Sequence, residues 1–411
     1  MYKINPRAML NPWRDFLSYR ETRPELFTLL CYQLVAISGF TLIMPLVAGY
    51  FVKNIGMTAA FVGLALAVRQ MIQQGLTFIG GMLSDRFGLK PVLCTGLVIR
   101  ALGFFWLGWA NEPAELLSAL VLTGLGGTLF EAPFTAAIIS LTKPDERKTF
   151  YLLNSFLSSL TLIVVPLFAI VLLWIDFKAV SLVAGFCFIS NVYVAIRYFP
   201  KHKPPAREPQ ATPPLKALWQ DKRFVYYALI MNGFWFVAIQ MSITFPLRAQ
   251  ALTGTVSSTG IFFTLNAAVV LLLQYGLVQA LQRHYQTSTL LMLGTTILSF
   301  STFLLGCSGS FGSFLWWIVM YSVGHLIARP MIDLLTAHLS NSKALGLYAG
   351  IANMSIGVGG GLGHLLGGWL YDMGQKYQLP MLAWTVFLMV GLLTVYAQYR
   401  YFQRYPDAKQ A

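Results

Sequence analysis

Charge is scarce in this chain. Asp, Glu, Lys and Arg together make up 11% of 411 residues, while 56% are apolar, and a water-soluble surface needs roughly a quarter to a third of its residues charged. A soluble globular protein is therefore excluded. Cysteine is limited to Cys31, Cys94, Cys187 and Cys307, in separate apolar segments with no C-x-x-C pairing. That pattern excludes a disulfide framework and a thiolate metal site, and leaves four packing residues. There is no metal-spaced His/Cys cluster, no phosphate-cradling glycine loop and no nucleophile elbow. The chain is accordingly expected not to be an enzyme, and to use no cofactor and no metal. ATP would have to be bound by a partner subunit.

What the chain has instead is length after length of hydrocarbon. A spanning helix needs about 20 apolar residues, and the sequence divides into twelve such segments, the first at 26–50 and the last at 381–400. Lys and Arg are distributed unevenly between the two sets of joints. On the side shared by both termini fall 22, on the other only Lys53, Lys178, Arg248 and Lys376, and three lie inside spans. The positive-inside rule then predicts cytoplasmic termini, which requires an even number of spans. The net charge of +14 is read as this topology signal, and no nucleic-acid partner is expected. The first residues lack a short apolar core followed by a small-residue cleavage site, so no removable signal peptide is expected.

Six prolines between Pro200 and Pro214, among Lys201, Lys203 and Arg207, favour an extended solvated linker over a helix. The expected organisation is a cytoplasmic N-terminal segment at 1–25, a six-helix bundle at 26–198, a cytoplasmic linker at 199–223, a second six-helix bundle at 224–402 and a cytoplasmic tail at 403–411. A shift of 197 residues lays Gly127 on Gly324, Pro133 on Pro330, Tyr151 on Tyr348 and Arg86 on Arg283. Internal duplication of this kind is common in transporters, which bind cargo between the copies.

Ionisable groups inside spans carry the next signal, because each costs on the order of 3 kcal/mol at a helix centre. Arg69, Arg100 and Glu131 fall at about one depth on three successive spans, and Gln70, Gln73 and Gln74 continue a polar stripe from Arg69. Such a stripe points to a water-filled cavity rather than to lipid. Glu131 has two readings. It is a proton-exchanging carboxyl, with burial favouring the neutral acid and an arginine favouring the carboxylate, or it is one partner in a static ion pair with Arg100 or Arg69. Arg329 and Asp333, four apart on one helical face, are expected to pair with each other without a transport role. His325 and His364 are candidates for titration, with hydrogen-bonded packing the simpler expectation. Glycines from Gly357 to Gly368 allow close helix approach or a hinge, and Pro45 is expected to break the first span. Trp235, Phe234, Phe236, Met231, Met241, Phe262 and Phe263 could wall an apolar pocket, although most must face lipid or other helices.

The densest cluster of signals is Gly81-Met-Leu-Ser-Asp85-Arg86-Phe-Gly88-Leu-Lys90-Pro-Val-Leu93, read as a short polar turn between two apolar segments. It resembles the signature of the major facilitator superfamily, matching at Gly81, Leu83, Asp85, Arg86, Gly88, Lys90 and Leu93, with Ser84 and Leu89 replacing the usual small and basic residues. The runs Val68–Gly75, Gly124–Pro133 and Asp221–Phe224 look like the drug:proton antiporter branch, the bacterial multidrug exporters. The resemblance implies an all-α polytopic membrane protein with twelve transmembrane helices in two pseudo-symmetric six-helix bundles, set in the bacterial inner membrane. It implies proton-coupled efflux of small amphipathic organic compounds by alternating access. Its partners would be the lipid bilayer, protons and a small-molecule substrate, with the protein acting as a monomer. Under that reading Glu131 carries the proton, Arg69, Arg100, Gln70, Gln73 and Gln74 surround it in the cavity, and Gly81, Asp85, Arg86, Gly88 and Lys90 form a conformational latch that holds the outward-facing state. The chain departs from the branch at Leu120 and Ser140, and in Val165-Pro166-Leu167-Phe168, which keeps only the proline of the antiporter motif. A carrier for one endogenous metabolite, such as a siderophore or a sugar-like compound, and a non-transporting sensor or assembly partner are the alternative expectations.

Overall fold

The computed structural model describes residues 12–142, 144–198, 221–274, 276–340, 345–406 and 408. Among them the secondary structure is helical. A first helix, α1 (Pro12–Thr22), leads into α2 (Pro24–Ile43), which continues through irregular turns as far as Asn54. Next come α3 (Ala59–Gly75), α4 (Thr77–Phe87), α5 (Leu89–Leu107), α6 (Pro113–Leu141), α7 (Pro144–Leu173) and α8 (Phe177–Tyr198). The second half consists of α9 (Lys222–Ala238), α10 (Thr244–Thr253), α11 (Ser258–Leu273), α12 (Gly276–His284), α13 (Thr287–Gly306), α14 (Phe311–Leu339), α15 (Leu345–Lys376) and α16 (Leu382–Arg404). Residues 199–220, most of the expected linker, lie outside the described residues.

Nine helical stretches among the described residues are long and apolar enough to cross a membrane, and α11 with α12 makes a tenth, bent by 54°. The other two expected spans, α3 with α4 and α15, are diluted by Arg and Gln in the one and by glycine in the other. Some of those residues meet across the halves, Gln70 against Gly360 and Gln74 against Gly357. Each half has its own buried core, one drawn mainly from residues between Leu26 and Ala195, the other reaching from Phe224 to Ala408.

Local chemistry sets the helix ends. Thr58 accepts a hydrogen bond from the Phe61 N–H at the start of α3 (3.2 Å), and Asp221 does the same for Phe224 at the start of α9 (3.1 Å), each satisfying one of the unpaired donors of a first turn. Glu115 reaches back to the backbone N–H groups of Asn111 and Glu112 ahead of Pro113, the first residue of α6. Pro45 breaks the first span as expected, with a 3-10 turn at Met44–Leu46.

The signature segment is mostly helix, which corrects its reading as a polar turn. Helix α4 runs through Asp85 and Arg86 to Phe87, and the reversal into α5 is made at Gly88 alone, with φ 93° and ψ 155°. That conformation is closed to residues with a side chain. Gly88→Ala is expected to lower stability by about 1–3 kcal/mol, measured as a drop in the unfolding temperature of the purified protein.

Two seams join the halves. In the first, α15 lies along α3; in the second, α11 lies along α7, with the Thr264 hydroxyl donating to the Ile163 carbonyl (3.0 Å) and Gly260 set against Pro166. We call the end that carries Pro24 and Arg404 the near end and its opposite the far end. The start of α3, the end of α15 and the start of α11 all lie at the far end, so the halves are closed there. Toward the near end α4 packs on α5 and α6 of its own half, and α12 packs on α11 and α13 of the other.

Candidate functional site

The intramembrane charges predicted to share a depth do meet. Arg69 and Gln73 are one turn apart on α3, and the Arg69 guanidinium donates to Gln73 Oε1 at 2.6 Å. The Gln73 amide nitrogen in turn donates to Glu131 Oε1 on α6. An amide both donates and accepts, so Gln73 couples a cation to an acid that do not touch. Among the described residues the ion pairs are Arg23–Glu146 and Arg329–Asp333; the direct Glu131–arginine pair of the sequence alternatives is replaced by this three-membered relay.

Arg100 reaches the same region from α5. Its guanidinium carbon lies 5.3 Å from the Phe40 ring centroid, 5.1 Å from Phe188, 5.8 Å from Phe130 and 6.0 Å from Phe104. Arg69 lies 5.0 Å from that same Phe40 ring. Both cations thus lie near one Phe40 ring, whose electron-rich faces attract them. Both arginines are buried, and the Nε of each lacks a hydrogen-bond partner among the described residues. With two guanidiniums and one carboxyl, the region is positive when Glu131 is ionised and more so when it is protonated.

Of the remaining stripe, Gln70 and Gln74 face the other half: a Cβ at Gly360 would lie 3.8 Å from the Gln70 side chain, and one at Gly357 3.3 Å from that of Gln74. In this conformation the stripe is shut between helices. A cavity of about 300 Å³ opens instead in the second half, between α9, α14 and α15 toward the near end, and is lined by Trp235, Arg329, Asp333, Thr336, Ser340 and Asn353 among others. Arg329 and Asp333 pair at 3.3 Å as expected from their spacing, yet they are 41% and 62% exposed, and Arg329 also lies over the Trp235 ring at 4.8 Å. The expectation of a self-contained pair is met in geometry. Its place on the cavity wall was not anticipated. Trp235 belongs to the second core and also lines that cavity, whereas Met231, Phe234, Phe236 and Phe262 are buried in the same core and are not among the lining residues. His325 stacks between Phe234 and Tyr321, as a packing residue does.

The latch residues are disengaged from the other half. Asp85 and Arg86 are exposed, Arg86 rests over the neighbouring Phe87 ring, and Lys90 donates to the Ile196 carbonyl of α8 within its own half.

Sequence reasoning missed the phenyl rings around Arg100 and missed Asp372 altogether. Asp372, at the far end of α15, accepts hydrogen bonds from the backbone N–H groups of Ala59 (3.1 Å) and Ala60 (2.7 Å). An acidic residue closing a glycine-rich span was the available signal. Its partners are backbone groups 313 and 312 residues away and leave no mark in the sequence.

Three comparisons with known proteins bear on this geometry. Residues 29–284 match the Major Facilitator Superfamily. The chain is 33% identical over 378 residues to the multidrug resistance protein MdtH of Proteus mirabilis (strain HI4320), covering 92% of this chain and 94% of that one. It is 34% identical to the protein of the same name from Yersinia pestis (strain Pestoides F), with the same coverage. Among solved structures, the nucleoside transporter NupG superposes with a TM-score of 0.76 at 11% identity, over 92% of this chain and 99% of that one. A peptide transporter POT in complex with sulfate superposes with a TM-score of 0.75 at 15% identity, over 94% of this chain and 96% of that one.

Proposed function

We propose, for a chain that belongs to the major facilitator superfamily and is a multi-pass membrane transport protein rather than an enzyme, that it exports small amphipathic organic compounds by exchange with protons. The multidrug resistance names of its relatives support the cargo class. The Arg69–Gln73–Glu131 relay is the single observation that carries the coupling. Ionised, Glu131 balances Arg69 through the Gln73 amide; protonated, it leaves two buried guanidiniums without a counter-charge. Loading a proton therefore changes the electrostatics on α3, the first-half helix of the α3–α15 seam, and a difference of that kind is what biases one conformation over another.

In this reading the membrane is a bacterial inner membrane, both termini are cytoplasmic and the far end faces outward. The cavity beside Trp235 then opens to the cytoplasm, where cargo enters. The exposed Asp85 and Arg86 fit a latch that engages only in the opposite, outward-open state. The two six-helix halves, joined by the 199–223 linker, move as the rocking units.

The test is flux in proteoliposomes under an imposed pH gradient, with a chemically broad panel of organic compounds. Flux of several unrelated compounds that collapses with the gradient is expected. Flux of one metabolite alone would establish the dedicated carrier instead, and no flux together with no cargo-induced change in accessibility would establish the sensor. Gln73→Leu keeps the volume of the side chain and breaks the relay. It is expected to lower gradient-driven flux by roughly 10- to 100-fold, the range lost when a group that orients a reacting side chain is removed, and to lower the unfolding temperature as well, because Arg69 and Glu131 each lose a buried partner.

A further inference from the structure

The far end holds a contact between the halves that is made by a charged side chain. Thr58 satisfies only one first-turn donor of α3. Two more, the N–H groups of Ala59 and Ala60, are taken by the two carboxylate oxygens of Asp372, at 3.1 and 2.7 Å. The helix start belongs to the first half and the carboxylate to the second. The positive end of the α3 dipole thus faces a negative charge delivered from across the molecule.

The geometry points to Asp372 as a clasp that stabilises the state closed at the far end, and that state alone. Two neighbouring contacts place it at a true closure point. Tyr371 and Leu247 from the second half pack with Ala59 and Val52 from the first in a small cluster of their own, and the Gln250 amide donates to Asn54 Oδ1 at 3.3 Å. Parting the far end separates Asp372 from α3 and hands its two donors to water. Because the interaction exists in one state and not in the other, it shifts the equilibrium between them. Asp372 touches neither cavity nor relay, so it acts as a positioning residue for transport.

This rests on the alternating-access reading above. Its test needs no cargo, so failure of the clasp and failure of that reading are distinguishable. In a background with the native cysteines replaced, spin labels at the exposed positions Lys53 and Thr255 report the distance between the halves at the far end. Asp372→Ala is expected to raise the ratio of long to short distances about tenfold, the effect of losing a charge-assisted pair of hydrogen bonds. Asp372→Asn, which keeps an acceptor oxygen but no charge, should fall between and supplies the answer where the alanine variant does not fold. A distance distribution unchanged in the folded variants, or one shifted toward closure, overturns the clasp. A purely structural cap would lower the unfolding temperature and leave the distribution where it was.

Discussion

Glu131→Gln is expected to abolish gradient-driven flux, by on the order of 100-fold or more, while leaving cargo binding in place. Glutamine has the shape of the protonated acid and cannot release a proton. It also still accepts from Gln73, so the relay persists as a hydrogen-bonded chain with no negative end. Arg69 and Arg100 are then permanently uncompensated, as they would be transiently in a proton-loaded carrier. The measurement is twofold: flux with and without a pH gradient in proteoliposomes, and cargo affinity by calorimetry on the detergent-solubilised protein. Wild-type flux in the variant sinks the assignment of Glu131. Loss of affinity along with flux makes it a cargo contact rather than a coupling residue.

Gly368→Val is expected to be nearly as damaging by a wholly different route. At the far end of the first seam, a Cβ on Gly368 would run into the backbone carbonyl of Ala59, an atom that cannot move without moving α3. Forcing a branched side chain into such a contact costs about 1–3 kcal/mol. The cost applies only when the halves are closed there, so it appears as a shift toward the far-end-open state by roughly 5- to 150-fold rather than as unfolding. Gly361→Ala is the control. Its Cβ would lie 2.8 Å from Met71 Cε, the end of a flexible thioether that swings aside. The pair is read by labelling of a cysteine placed at the far end: rapid in the valine variant, at the wild-type rate in the alanine one. Equal labelling in both would mean that the seam does not govern closure.

How much of this the sequence carried depends on the length scale of each interaction. Arg69 and Gln73 are four apart on one helix, so spacing alone placed them together, and the same holds for Arg329 and Asp333. That Glu131 lies at the depth of the first pair followed from counting along α3 and α6, which run in the same direction, at a rise of about 1.5 Å per residue. That Gln73 would stand between the charges did not follow, since it depends on how α3 rotates against α6. The signature segment announced its fold family, yet its helical path up to Phe87 was hidden because polar residues at a helix end read like a turn. Gly88 gave the reversal away only through its type. The cavity wall was the least legible part. Trp235 and Phe234 are neighbours of similar composition and both are buried in the second core, and only their position around the helix brings one of them to the cavity wall as well.

The glycines of α15 have one more effect. Gly361 and Gly368 face α3 of the first half, whereas Gly359 and Gly363 face α9 of the second, each close enough that a Cβ would collide with a neighbour. Helices that interlock by side chains shift in discrete steps, since each protrusion must leave one recess before it enters another. A strip of bare backbone has no teeth. Displacement of α3 along α15 carries the Gln70, Met71 and Gln74 side chains over glycines that oppose them with no side chain of their own, so sliding there meets fewer steps, while the definite resting points are supplied by the few polar contacts at the ends of the track.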